Sequence, residues 1–150
     1  LEQQGFANYM VDIGGELRLK GHNDNASAWR IAVEKPLAQQ RAVQKIITPG
    51  DRGIATSGDY RNYFEQDGIR YSHTIDASTG MPIANHIVSV TVITDTSMMA
   101  DAYATAFTVM GVEAAMAFAE KQQLAVYIIE KQGEQFVEHI SAAFEPFVAQ

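Results

Sequence analysis

The sequence predicts an α+β domain built from antiparallel sheets with helices packed on them. Short apolar or alternating segments separated by turn residues fill most of the first 95 residues. Two helical segments follow, Ser97–Met110 and Val112 to about Gln122. The dense run of strands before the first long helix argues against a βαβ arrangement, in which strands and helices alternate. With 150 residues and 47% hydrophobic content, the chain is long enough for one domain with a real core.

The predicted strands are bounded by glycine, proline and asparagine turns. They are Tyr9–Ile13, Leu17–Lys20, Trp29–Glu34, Ala42–Thr48, Gly53–Ser57, Ile69–Ser72, Ile87–Thr94, Ala125–Lys131 and Gln135–His139. Asp67-Gly68 is a hairpin signal before the sixth of these strands. Ser97 is the expected cap of the first long helix and Gly111 its end. A short helix is expected near Ala142–Val148.

Composition excludes several classes of function. The net charge of −7 and the pI near 4.9 argue against a nucleic-acid surface, because neutralising phosphates requires clustered Lys and Arg. The absence of cysteine excludes disulfides, thiolate nucleophiles and zinc–cysteine sites. No apolar run approaches the roughly 20 residues that a membrane-spanning helix requires. The sequence therefore predicts no nucleic-acid partner.

Asp101 and Thr105 are the first candidate pair for chemistry. They lie four residues apart on a predicted helix, so their side chains share one face. A carboxylate and a hydroxyl are hard oxygen ligands of the kind that Mg²⁺ prefers, and the start of a helix favours anions such as phosphate. The other interpretation is an exposed aspartate beside a core-facing threonine. Spacing alone favours that second interpretation, because such pairs are common on amphipathic helices.

His73 is the second candidate, in the segment Tyr71–Pro82. On a strand, His73 and Ile75 share one face. Because histidine titrates near neutral pH, it can accept a proton from an attacking hydroxyl. The alternative is a histidine with a structural hydrogen bond at the end of a strand. Asp76 is expected to fix the turn that follows by accepting backbone N–H groups.

A series of short motifs extends in order along nearly the whole chain. They are Val11–Glu16, Trp29–Val33, Thr56–Tyr63, Ser72–Pro82, Val88–Val92 and Ala100–Gly111. Each motif is weak by itself, but the ordered series is specific. The chain resembles the C-terminal half of the ApbE family, the FAD:protein FMN transferases. The resemblance implies an ApbE-like α+β fold, in which residues 1–150 are the C-terminal part of a single flavin transferase domain whose N-terminal part is absent from this sequence.

The resemblance also implies a reaction and its participants. Members of the family bind FAD with Mg²⁺ and transfer the FMN part to a Thr or Ser hydroxyl of an acceptor flavoprotein, releasing AMP. Such acceptors include subunits of the Na⁺-pumping quinone reductase and of the Rnf complex. Many members are periplasmic lipoproteins of the inner membrane, so a lipid anchor outside this sequence is the expected membrane contact. The alternatives are a Mg²⁺-dependent FAD pyrophosphatase and a non-catalytic FAD-binding protein of the same fold.

The resemblance assigns roles to four residues of this chain. Asp101 and Thr105 match the magnesium ligands, His73 matches a histidine that assists proton removal from the acceptor hydroxyl, and Ile75 matches a residue whose backbone touches the flavin nucleotide.

Two positions depart from the family pattern. Many relatives have proline where Ala77 follows Asp76, and some have a second aspartate where Ala104 precedes Thr105. Metal binding is then expected to depend more on Asp101, Thr105, water and phosphate. Because the family's N-terminal half supplies much of the FAD pocket and a backbone carbonyl to the metal, residues 1–150 alone are expected to bind FAD poorly.

Overall fold

A computed structural model of the protein describes residues 1–37, 42–58, 63–66 and 69–149. Its strands are β1 Tyr9–Ile13, β2 Glu16–Lys20, β3 Ile31–Glu34, β4 Val43–Ile47, β5 Gly53–Ser57, β6 Tyr63–Gln66, β7 Ile69–Ser72, β8 Ile75–Asp76, β9 Met81–Pro82, β10 Ile87–Thr94, β11 Ala125–Gln132 and β12 Gln135–Ile140. Its helices are α1 Ser97–Met110 and α2 Val112–Gln122, with short 3₁₀ turns at Glu2–Gln4 and Glu145–Phe147. No helix in these ranges combines the length and apolar character needed to cross a bilayer.

The largest sheet has six antiparallel strands in the order β1-β2-β5-β10-β11-β12. β10 lies in its interior and is buried along all but its last residue. Its sequence is almost entirely β-branched, which suits a strand covered on both faces. The other strands pair as three small hairpins, β3–β4, β6–β7 and β8–β9.

Helices α1 and α2 cover one face of the central sheet. The buried side chains in this layer are Ala55, Ile87, Val90, Val92, Val126 and Ile128 from the strands, and Ala100, Ala104, Phe107, Ala115 and Ala119 from the helices. Because most of the buried helix residues are alanines, the helix backbones can lie close to the strands. This close approach fixes the position of α1 relative to β5 and β10.

The opposite face packs against the β3–β4 hairpin and the C-terminal segment. Its buried residues include Leu19, Ile47, Ile54, Tyr127, Ile129 and Phe144. The ring of Phe144 stacks on Tyr127 with centroids 5.5 Å apart. The C-terminal segment is also joined to β4, because Thr48 N donates to Phe147 O at 2.7 Å and Ala149 N donates to Ile46 O at 2.9 Å.

The predicted α+β architecture of antiparallel sheets and late helices is confirmed, with three local differences. Thr96, not Ser97, caps α1, since the Thr96 hydroxyl accepts from Met99 N. His73 lies at a bend between β7 and β8 and not on a strand. The helix expected near Ala142–Val148 is only the 3₁₀ turn Glu145–Phe147. The hairpin signal Asp67-Gly68 lies outside the described residues, although the flanking strands pair antiparallel with Gln66 opposite Ile69.

Candidate active site around helix α1

The start of α1 is held against β2 and β5 by two short contacts. Ser97 Oγ donates to the carbonyl of Leu17 at 2.8 Å. A Cβ added to Gly53 would lie 2.2 Å from Ser97 N, so β5 approaches the helix more closely than any side chain allows. These contacts place the first turns of α1 beside the β1–β2 edge of the sheet.

Asp101 and Thr105 both lie on the exposed surface of α1. Each follows a fully buried alanine, Ala100 and Ala104, which anchors the opposite side of the helix in the core. Asp101 is the fifth residue of α1 and lies just beyond its first turn. The pair therefore presents one carboxylate and one hydroxyl to solvent on a shared helical face.

A groove of about 370 Å³ extends from Asp101 across the β1–β2 hairpin. It is lined by Val11, Ile13, Glu16, Arg18, Ser97, Met98 and Asp101. We call it the Asp101 groove. The guanidinium of Arg18 donates from Nη1 to the carbonyls of Asp51 and Asp95, at 3.0 Å each. Two chain turns thereby hold Arg18 at the groove. The apolar wall of the groove is formed by the side chains of Ile13 and Met98, which are 73% and 74% exposed.

His73 lies on the exposed surface in a segment that is braced by hydrogen bonds. Thr74 N donates to the hydroxyl of the preceding Ser72 at 3.1 Å. Ile83 N donates to Thr74 O at 3.0 Å, which closes the β8–β9 hairpin immediately after the histidine. Ile75 on this hairpin pairs with Pro82 and is 51% exposed.

Asp76 anchors the turn of this hairpin as expected. Its Oδ1 accepts from Ser78 N at 2.8 Å and from Ser78 Oγ at 2.7 Å. These two bonds, led by the one from the Ser78 hydroxyl, lower the pKa of the Asp76 carboxyl. Gly80 in the same turn has a left-handed conformation, with φ of 70°.

A second cavity lies on the opposite face of the sheet and is not predicted by the sequence reasoning. Its volume is about 420 Å³. Its lining combines the turn glycines Gly14 and Gly15 with Asp12, Glu34, Thr56, Gly58, Thr91 and the apolar residues Leu17, Ile31, Ala32, Val33, Ile47 and Ile54. Thr56 and Thr91 share a hydroxyl–hydroxyl hydrogen bond of 2.9 Å in its wall. The cavity forms where the Gly14-Gly15 turn and the segment Thr56–Gly58 border the same space. The two segments are far apart along the chain, so their spacing does not predict this cavity. Residues 59–62 of the adjoining motif lie outside the described residues.

The donor set on α1 fits a magnesium ion that also binds water and phosphate. Within the described ranges, no three His, Cys, Asp or Glu side chains form a group able to hold a metal ion. Asp101 and Thr105 supply two hard oxygens on an exposed face, and Mg²⁺ commonly takes one or two protein ligands together with phosphate oxygens and water. His73 lies outside the described lining of the Asp101 groove.

The chain is similar to flavin transferases along almost its whole length. The model described as the ApbE family matches residues 1–128. A FAD:protein FMN transferase of Vibrio cholerae serotype O1 is 58% identical over 149 residues, which are 99% of this chain and 45% of that relative. A FAD:protein FMN transferase of Escherichia coli K12 is 44% identical over 148 residues, which are 99% of this chain and 42% of that relative. The chain thus spans less than half the length of these relatives.

Solved structures show the same similarity. The flavin transferase ApbE from Vibrio cholerae matches with a TM-score of 0.87 and 56% identity, covering 98% of this chain and 46% of that one. The ApbE protein of Thermotoga maritima matches with a TM-score of 0.80 and 31% identity, covering 95% of this chain and 45% of that one. These matches confirm the resemblance and the ApbE-like fold predicted from the sequence.

Proposed function

The chain belongs to the ApbE family, and from this premise we propose that it is the C-terminal part of an enzyme that transfers FMN from FAD to a protein hydroxyl. The oxygen of an acceptor Thr or Ser attacks the phosphorus of the FMN half, the bond to the AMP phosphate breaks, and AMP leaves. The exposed carboxylate–hydroxyl pair Asp101 and Thr105 on α1 is the observation that carries the proposal, because it is suited to a metal-held pyrophosphate.

Asp101 and Thr105 would hold Mg²⁺ through one carboxylate oxygen and one hydroxyl oxygen. When bound, the ion supplies charge neutralisation at the pyrophosphate. Ala104 directly precedes Thr105 and supplies no second carboxylate. Metal binding is therefore expected to depend on Asp101, Thr105, water and phosphate.

His73 is the proposed proton acceptor for the attacking hydroxyl. Hydrogen bonds from Thr74 N to the Ser72 hydroxyl and from Ile83 N to Thr74 O fix the backbone on both sides of His73. In the proposed reaction the hydroxyl proton passes to the imidazole as the oxygen–phosphorus bond forms. The backbone of Ile75, two residues further on, is the proposed contact for the flavin nucleotide.

The proposal extends to the cellular setting. The acceptor is a flavoprotein such as a subunit of the Na⁺-pumping quinone reductase or of the Rnf complex, and the enzyme is a periplasmic lipoprotein of the inner membrane. Support for this setting comes from the family resemblance alone. Residues 1–150 by themselves are expected to bind FAD poorly, because the chain spans 45% of the Vibrio cholerae relative.

The test is transfer by the full natural protein. It is incubated with FAD, Mg²⁺ and a candidate acceptor, and the products are analysed for AMP and for a fluorescent acceptor band that survives denaturation. AMP together with a labelled band is the expected result. AMP without a band indicates FAD hydrolysis, and FAD binding without either product indicates a non-catalytic binding protein.

Substitutions test the site assignment in the same assay. Asp101→Asn should lower transfer by about 100-fold or more, because loss of a charge-neutralising contact raises the barrier by several kcal/mol. His73→Ala should also abolish most labelling, with the fold retained by circular dichroism. Glu113→Gln removes an exposed carboxylate from the first turn of α2 and is the matched control, expected to keep full activity. Labelling at the wild-type rate by both site variants would show that the assignment is wrong.

A further inference from the structure

Asn85 joins the histidine segment to the helix that carries the proposed magnesium ligands. Its side-chain Nδ2 donates to the carbonyl of Thr108 on α1 at 2.7 Å. Its Oδ1 accepts from Ile87 N at 3.1 Å, where β10 begins. One amide thus bonds to two elements at once, and neither role is visible in the sequence.

The Thr108 carbonyl that accepts from Asn85 has no N–H partner within α1. α1 ends at Met110, so Thr108 belongs to the last turn, whose carbonyls lack an intrahelical N–H partner. The Thr108 hydroxyl bonds back to Ala104 O at 2.8 Å, so the same turn is held from inside the helix as well. Asn85 therefore bonds to a buried part of α1, since Thr108 is 2% exposed.

Thr108 lies on the same helix as the two proposed metal ligands, although its side chain is buried and theirs are exposed. Because α1 is continuous over Ser97–Met110, the Thr108 carbonyl has a fixed position relative to Asp101 and Thr105. Any shift of Asn85 relative to the Thr108 carbonyl is therefore a shift relative to Asp101 and Thr105.

On its other side, Asn85 is close along the chain to His73. Ile83, two residues before Asn85, donates to the carbonyl of Thr74, the residue that follows the histidine. The anchored turn at Asp76 keeps this hairpin closed. The path from α1 to the imidazole is thus Thr108 carbonyl, Asn85, the Ile83–Thr74 bond, and His73.

We propose that Asn85 is a positioning residue that sets the location of the His73 imidazole relative to the Asp101–Thr105 pair. This inference rests on the proposed transfer reaction, in which proton acceptor and held phosphate must meet around one hydroxyl. An error of about 1 Å in such an arrangement can cost roughly 100-fold in rate. Asn85 does not touch the reacting atoms, and its effect passes through the backbone hairpin.

Asn85→Asp is the sharpest test because it keeps shape and the acceptor oxygen for Ile87 N. It removes the donor to Thr108 O and places a carboxylate against the negative end of a helix. Ser141→Ala is the matched control, because Ser141 also joins two backbone groups but lies away from α1: its Oγ donates to Leu124 O at 2.8 Å and accepts from Val126 N at 2.9 Å. The full natural protein is used for all variants.

We expect Asn85→Asp to lower kcat for FMN transfer by about tenfold while KM for FAD changes by less than about twofold, since positioning affects the transition state more than ground-state binding. Ser141→Ala should keep kcat within about twofold of wild type at a similar loss of melting temperature. Equal kcat losses in both variants, or an unchanged kcat in Asn85→Asp, would overturn the inference and leave the transferase proposal standing.

A double-variant measurement separates positioning from general loosening. With Asn85 already changed to Asp, His73→Ala should cost at least about fivefold less than it does in the wild-type background, because the imidazole has lost its position. Fully multiplicative losses would overturn the inference. A wild-type protein that produces no labelled acceptor and no AMP would instead overturn the proposed function, and the inference with it.

Discussion

The absence of a side chain at Gly53 allows helix α1 to begin directly against strand β5. A side chain there would meet Ser97 N at 2.2 Å and the Thr96 carbonyl carbon at 2.3 Å, both backbone atoms that cannot rotate away. Serine is a slightly better capping residue than threonine, so residue type alone favours Ser97 and does not predict that Thr96 caps the helix. Ser97 is drawn away by the carbonyl of Leu17, which is 80 positions distant in the chain.

Gly53→Ala should therefore displace the start of α1. We expect a loss of about 1 to 3 kcal/mol in the free energy of unfolding, because an added methyl group must push two backbone segments apart. Magnesium-dependent transfer should fall further than stability alone explains, since Asp101 lies one turn into the same helix. Urea denaturation and activity assays measure the two effects. Ser57→Ala, on the same strand, is the control, and equal stability of the two variants would contradict the expected clash.

At the scale of elements, the β8–β9 hairpin supplies a small pH-dependent unit. The Ser78 hydroxyl and N–H hold the pKa of the Asp76 carboxyl below its usual value of 3.8. Because the folded pKa is lowered, the ionised carboxylate stabilises the turn above the unfolded pKa. That contribution is lost as the pH falls through the folded value.

Ser78→Ala should move the pKa of Asp76 back toward 3.8, since the largest cause of the shift is the Ser78 hydroxyl. A carboxyl-carbon NMR titration measures it directly. Ser27→Ala, in a loop before β3, is the matched serine control and should leave the value unchanged. Titration of wild-type Asp76 at or above 3.8 would show that the hydrogen bonds of the turn do not form in solution.

Elements of regular period were predictable, and irregular ones were not. The helices and long strands follow from apolar spacing and from stops such as Gly111, so their observed bounds match the predicted ones closely. The two-residue strands β8 and β9 have too few positions to show a period. With no period to mark where β7 ends and β8 begins, the sequence predicts His73 on a strand, whereas it lies at a bend between them.

The whole molecule is a sheet covered on both faces, with separate side-chain clusters above and below. Phe144 belongs to the cluster on the face of the sheet opposite the helices, where it is fully buried and stacks on Tyr127. It comes from the C-terminal segment, so the last residues stabilise strands from the middle of the chain.

Phe144→Ala should lower the free energy of unfolding by roughly 3 to 5 kcal/mol, the usual cost of emptying a buried aromatic site. Phe118→Ala removes the same ring from a position that is 38% exposed and should cost clearly less. Chemical denaturation should show one transition for both variants, because the two clusters share the central sheet. Similar losses for the two substitutions would contradict the assignment of Phe144 to the core.

The amino-acid sequence by itself determined the α+β class, the long elements, the candidate residues Asp101, Thr105, His73 and Ile75, and the family, because each depends on local period or on ordered motifs. Only the tertiary structure decided which hydroxyl caps α1, how Asn85 meets Thr108, and that the Gly14-Gly15 turn borders a cavity. Those features join residues distant along the chain, and the energy of such contacts depends on distances that no local pattern encodes.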